Sequence, residues 1–105
     1  MIHNLPIEMK SALTLEMFEP CIGEEFEVDS RPVPVRIRLE RLHKYTHGPG
    51  FLTRQPFTLV WSTPPEVNMV LGTYRVRNGA WGPHDVYIEP MLSATATRLY
   101  QSVFY

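Results

Sequence analysis

The second half of the chain is a succession of short segments in which apolar and polar residues alternate. Residues 57–61, 73–77, 85–89 and 99–104 each repeat with a period near two, and Pro64-Pro65, Asn78-Gly79, Gly82-Pro83 and Pro90 stand between them. A period of two puts successive side chains on opposite faces of a strand. Strands of this length are stable only when several pair and bury one face, so the pattern predicts an antiparallel sheet that curls on itself. The expected fold is all-β: a small antiparallel barrel or curled roll of about six meandering strands, with one short N-terminal helix.

At 105 residues, with 44% hydrophobic and 20% charged residues, the chain has room for one domain and one core. Ten prolines are spread singly or in one pair, which reads as strand and loop punctuation and not as a disordered tract. Residues 1–13 form a leader whose Ile2, Leu5, Ile7 and Met9 are apolar enough to pack on a neighbour, and residues 14–105 form the β domain. Thr14 is placed to cap a helical turn over residues 15–19 that ends at Pro20, with Leu15 and Phe18 on one side. Gly23 then turns the chain into a first strand, residues 24–29.

Charge is placed unevenly. Residues 1–30 hold seven acids and one base, whereas residues 31–105 hold nine bases and four acids, for a formal net charge of −1. In the first strand Glu25, Glu27 and Asp29 alternate with Phe26 and Val28. In the second, Arg36 and Arg38 alternate with Val35, Ile37 and Leu39. Pairing the two sets an acidic outer row beside a basic one, which fixes register without any ligand. Leu39 and Leu42 have opposite phase, so a β-bulge is expected near Glu40-Arg41. The near-neutral total gives no reason to expect a nucleic-acid or membrane partner. One cysteine, Cys21, excludes an intramolecular disulfide framework and favours a reducing, cytoplasmic compartment. No basic segment followed by an apolar run opens the chain, and no apolar run reaches the roughly 20 residues that span a bilayer.

The spacing Leu15-x-x-Phe18-x-Pro20-x-Ile22-Gly23-x-x-Phe26 resembles the opening of a family of small bacterial domains with no assigned biochemical function. So do Phe57-x-Leu59-x-Trp61, Gly72-x-Tyr74, Val86-Tyr87-Ile88-x-Pro90 and Tyr100-x-x-Val103-Phe104. The resemblance runs from about Leu13 to Phe104. Its motifs are strand cores and a turn glycine, so it implies a fold and carries over no catalytic residue. Members of that family can lie beside proteins similar to phage-tail collar proteins, which implies a structural or accessory role.

The side chains that could do chemistry do not assemble into a site in the sequence. His43 and His47 are four apart, which would share a face on a helix, but they fall at a strand end and beside Gly48-Pro49-Gly50. Solvated loop histidines are expected, with no metal and no cofactor. Cys21 is followed by acids, which raise a thiol pKa and work against a nucleophile. No serine sits in a nucleophile elbow and no glycine run cradles a phosphate. A non-enzymatic protein-interaction module is therefore expected, with a protein partner and self-association through the leader or an unclosed edge strand. Its candidate residues are Arg75 and Arg77, held outward, and Trp81, read as the centre of a seven-residue hairpin loop over residues 78–84, where an aromatic is either a plug over one barrel end, the favoured reading, or an exposed contact residue. A small-ligand or carbohydrate-binding barrel mouth near Tyr45, Trp81 and His84 is the alternative; a mouth filled by Trp81 counts against it. A small enzyme, which would need two or more of His43, His47, His84, Cys21 and Glu24 in one cleft, is the third reading. The expected core includes Leu15, Phe18, Ile22, Phe26, Val28, Val35, Ile37, Leu39, Phe57, Leu59, Trp61, Tyr74, Val76, Val86, Ile88, Tyr100 and Phe104.

Overall fold

The computed structural model describes residues 13–29, 34–45, 56–79, 81–92 and 97–104. The leader expectation and that for His47 lie outside these residues. A short helix α1 (Leu15–Phe18) runs into a 3-10 turn (Glu19–Cys21). Six strands follow: β1 (Glu25–Val28), β2 (Val35–Lys44), β3 (Phe57–Thr63), β4 (Gly72–Asn78), β5 (Trp81–Pro90) and β6 (Arg98–Phe104). All pairings are antiparallel, and the strands close into a barrel in the order β1-β2-β3-β6-β5-β4.

That order corrects the expected simple meander. After β3 the chain crosses one end of the barrel through residues 64–71 and lays β4 beside β1. The β4–β5 hairpin follows, and β6 fills the gap between β5 and β3. Full closure removes the free edges that an open roll would expose.

The uneven charge is consumed in this closure. Acidic β1 lies between two basic strands: Glu25 pairs with Arg38 and Glu27 with Arg36 on one side, and Glu27 pairs with Arg77 on the other. Ion pairs join Arg36 to Glu25 at 3.4 Å and Arg77 to Asp29 at 2.9 Å. Each such exposed pair contributes only about 0.2–1 kcal/mol, so their use is in register more than in stability. The bulge in β2 falls between Leu39 and Arg41, as the change of phase predicts.

The barrel is solid. At one end α1 drives Phe18, fully buried, between Phe57, Trp81 and Phe104, with ring centroids 6.0, 5.1 and 5.8 Å away. Phe57 and Phe104 are register partners on β3 and β6 and stack at 4.6 Å. Phe26 stands edge-on to both Trp61 and Trp81. Lys44 Nζ holds Glu19 at 3.0 Å and ties the helical turn to the end of β2. Buried Trp61 donates its indole N–H to Ser102 Oγ at 2.9 Å, so this polar group enters the core satisfied.

The other end is closed by the crossing segment. Tyr100 Oη accepts from the Met69 N–H at 3.0 Å, Tyr74 Oη donates to the Val70 carbonyl, and the Met69 side chain is buried beneath. Burial, with nearby Tyr100 adding, raises the Tyr74 pKa above the ordinary 10.0. A phenol pKa higher in the folded than in the unfolded chain gives stability that is fully present below the ordinary value. That stability is lost as pH rises through the folded value. The melting temperature should therefore fall as pH climbs past about 10, and Tyr74→Phe should flatten part of that fall. Thermal melts of both proteins at stepped alkaline pH check this; superimposable alkaline limbs would refute it.

Several local expectations are corrected. Thr14 sits at the N-cap position, but its side chain makes no capping bond; the Met17 N–H bonds the Thr14 carbonyl at 3.1 Å. Pro20 does not end the helix. It takes an early position of the 3-10 turn, where its missing N–H costs nothing. That turn packs Cys21 against the core and leaves Ile22, expected inside, 45% exposed. Leu13 joins the core although it falls in the expected leader. Strand β3 is buried on both faces, because its outward Thr58, Val60 and Ser62 are short and flanked by longer residues of β2 and β6.

The seven-residue hairpin loop does not exist. Asn78 pairs with Trp81, so the strands run on to the tip of the hairpin, where Gly79 supplies the positive φ (55°) that tight hairpins need. Gly82 and Pro83 form a bulge opposite Arg77, between the pairs Val76–His84 and Asn78–Trp81. Gly82 has φ 88°, and a Cβ there would lie 2.7 Å from the Val76 carbonyl oxygen and 3.1 Å from the His84 nitrogen. Gly82→Ala is expected to cost about 2 kcal/mol or more, since both the conformation and the backbone contact oppose it. A urea midpoint within error of the parent protein would contradict this.

Candidate interaction face

The closed order sets β2 and β3 across the barrel from β5 and β4, and the candidate residues divide between these two walls. Tyr45 follows β2 and leans on the outside of β3, its hydroxyl 2.6 Å from Thr58 Oγ1 and its ring edge-on to His43. It does not join Trp81. Trp81 opens β5 and faces inward onto Phe18 and Phe26, with His84 edge-on at 4.7 Å. The mouth proposed for a ligand is therefore occupied by Trp81 and Phe18.

The two arginines have different situations. Val76 points into the core, so Arg75 and Arg77 stand on the outer face of β4. Arg77 is half-buried and bound to Asp29, which makes it a tie between β4 and the end of β1. Asp29 is held there a second way, its N–H bonding the Arg75 carbonyl at 3.0 Å. Arg75 is exposed, and its register partner on β5 is Asp85, also exposed.

Beside this pair lies an apolar surface. Val86 and Ile88 are buried, so Tyr87 points outward and is 46% exposed; its register partner is Thr73. Leu71, just ahead of β4 on the same face, is 61% exposed, and Val70 and Leu92 beside that end of the hairpin are exposed as well. Glu89 is drawn sideways by a 2.9 Å bond from Gln101 Nε2. Leu71, Val70 and Leu92 were not among the expected contact residues. Their signal was present in the phase: Leu71 is a large apolar residue at a position that alternates with the inward Gly72, Tyr74 and Val76.

Cys21 shows no sign of activation. Burial raises its thiol pKa above 9.0, and the Glu24 carboxylate adds to the shift. No helix among the described residues is long and apolar enough to cross a membrane.

A family model for a domain of unknown function, DUF6916, matches residues 13–104. The chain belongs to the DUF6916 family. The match starts at Leu13, the first described residue and a buried one, and stops at the end of β6, so it spans the whole of the described barrel. No curated protein and no solved structure matches it. The six-stranded barrel shows which residues of this DUF6916 domain form the core and which face outward.

Proposed function

We infer that this DUF6916 domain is a non-enzymatic protein-interaction module that recognises its partner through the outer face of the β4–β5 hairpin. The observation that carries this reading is the contrast between inside and outside. Aromatic residues fill one end of the barrel and the Met69 segment fills the other, while Leu71, Arg75 and Tyr87 stand exposed on one wall. Exposed apolar clusters with a neighbouring tyrosine and arginine are typical of association surfaces. The charge and pKa pattern around Cys21 also favours a structural cysteine over a nucleophile. A structural or accessory place in a bacterial, phage-tail-like assembly is the setting that the resemblance favours.

Affinity capture with the immobilised domain tests the reading. Leu71→Glu and Tyr87→Glu are expected to reduce the recovered partner by about tenfold or more, and Arg41→Glu on the opposite wall is expected to leave it unchanged. All three are surface changes, expected to alter stability by no more than about 0.5 kcal/mol, so melting curves separate loss of contact from loss of fold. Undiminished capture by both face variants would refute the reading.

A further inference from the structure

The charges around the β4–β5 face narrow what fits it. Arg77 is engaged by Asp29, Glu89 by Gln101, and Arg98 Nε by the Pro65 carbonyl. Arg75 and Asp85 remain, opposite one another in register, both exposed and in no ion pair among the described residues. The face thus offers one cation and one anion side by side next to Leu71, Tyr87, Val70 and Leu92. A strongly acidic partner would meet Asp85 with like charge, and a strongly basic one would meet Arg75. A surface with the same pair in reversed order satisfies both, and a second copy of this chain carries that surface.

The geometry is simple. A two-fold axis running parallel to the strands, in the interface between β4 and β5, lays β4 of one copy over β5 of the other at the same height. Arg75 then faces the partner's Asp85, Asp85 faces the partner's Arg75, and Tyr87 faces the partner's Thr73. Such an isologous contact forms twice by symmetry and closes on itself, which limits the assembly to a pair. We propose that the domain forms a homodimer through this face, with Leu71 and Tyr87 as its apolar centre and the Arg75–Asp85 pairs setting its register. The proposal rests on the reading of this wall as the recognition surface and names its partner.

Sedimentation velocity from micromolar to millimolar concentration, with charge-swap variants, tests it. The parent chain is expected to pass from monomer to dimer and no further, and Tyr87→Glu is expected to stay monomeric. Arg75→Asp and Asp85→Arg alone each juxtapose like charges and should weaken the dimer by about tenfold or more. The double variant Arg75→Asp with Asp85→Arg should restore it, and an equimolar mixture of the two single variants should form a heterodimer, a rescue that repulsion between the two neighbours within one chain cannot produce. A parent chain that remains monomeric throughout, or a dimer indifferent to Tyr87→Glu and to the single reversals, overturns the proposal. The capture experiment separates the two failures: a monomeric chain whose partner capture is still lost in Tyr87→Glu retains the recognition surface and loses only the homodimer.

Discussion

A chain truncated after Leu99 is expected to be unfolded, with no cooperative melting transition and a collapsed range of amide proton shifts. Strand β6 pairs with β3 at seven positions, from Phe57–Phe104 to Thr63–Arg98, and also joins β5 through Glu89–Gln101 and Pro90–Tyr100. Its loss opens the barrel on both sides. It also removes Tyr100, the Phe104 ring stacked on Phe57, and the Ser102 hydroxyl that satisfies the buried Trp61. Deleting one large buried aromatic side chain costs about 3–5 kcal/mol, against a total of about 5–15 kcal/mol for a small domain. The truncation removes Tyr100 and Phe104 from the interior together with a strand of backbone hydrogen bonds. A truncated chain that still melted cooperatively would show that the barrel does not depend on its closing strand.

Phe18→Ala is expected to have the largest effect of any single substitution in the helical plug, about 3–5 kcal/mol. Phe18 is fully buried and touches aromatic rings from β3, β5 and β6, so the cavity it leaves lies where three strands meet one helix. A four-residue helix is not stable by itself, and α1 is held by this packing and by the Lys44–Glu19 pair. The same substitution should expose Trp81. In a Trp61→Phe background, the emission of Trp81 should move to longer wavelength in Phe18→Ala and stay in place in Phe18→Leu. Denaturant melts that place Phe18→Ala within about 1 kcal/mol of the parent would mean that the plug contributes little.

What could be read in the sequence was what local chemistry decides. Alternation identified the strands, and the acidic and basic outer rows gave the β1–β2 pairing. The conflict of phase between Leu39 and Leu42 gave the bulge. What could not be read was decided by contacts distant in the chain. Nothing local to residues 72–78 says that β4 pairs with β1, and the Arg77–Asp29 tie that marks this pairing joins residues far apart in sequence. Gly82-Pro83 carries the same composition as a turn, and only the register of Asn78 with Trp81 shows it to be a bulge. That one misreading placed Trp81 in a loop instead of in β5; its expected role as a plug over one barrel end stands, since it packs half-buried against Phe18 and Phe26. Met69 has no periodic neighbours, so its role as the plug of the second end had no signature.

The candidate site was legible in part for the same reason. Outward phase identified Arg75 and Arg77, but it cannot tell a free arginine from one engaged by a neighbouring strand. Tyr45 and Trp81 are both aromatic residues near one end of the barrel. The closed strand order shows that one lies on the outer wall of β3 and the other faces the interior. Tyr87 and Leu71 became meaningful once the inward set was known, because a large apolar residue in the outward phase then has no core to join.

A partner held on the outer β4–β5 wall of the filled barrel lies within reach of Leu71 and Tyr87 and out of reach of Glu16 and Arg41. A scan with a photo-crosslinking residue placed in turn at Leu71, Tyr87, Glu16 and Arg41, carried out in the cell that makes the protein, tests this most directly. Protein adducts are expected from positions 71 and 87 and background levels from 16 and 41. Adducts formed equally at all four positions, or only at 16 and 41, would contradict it.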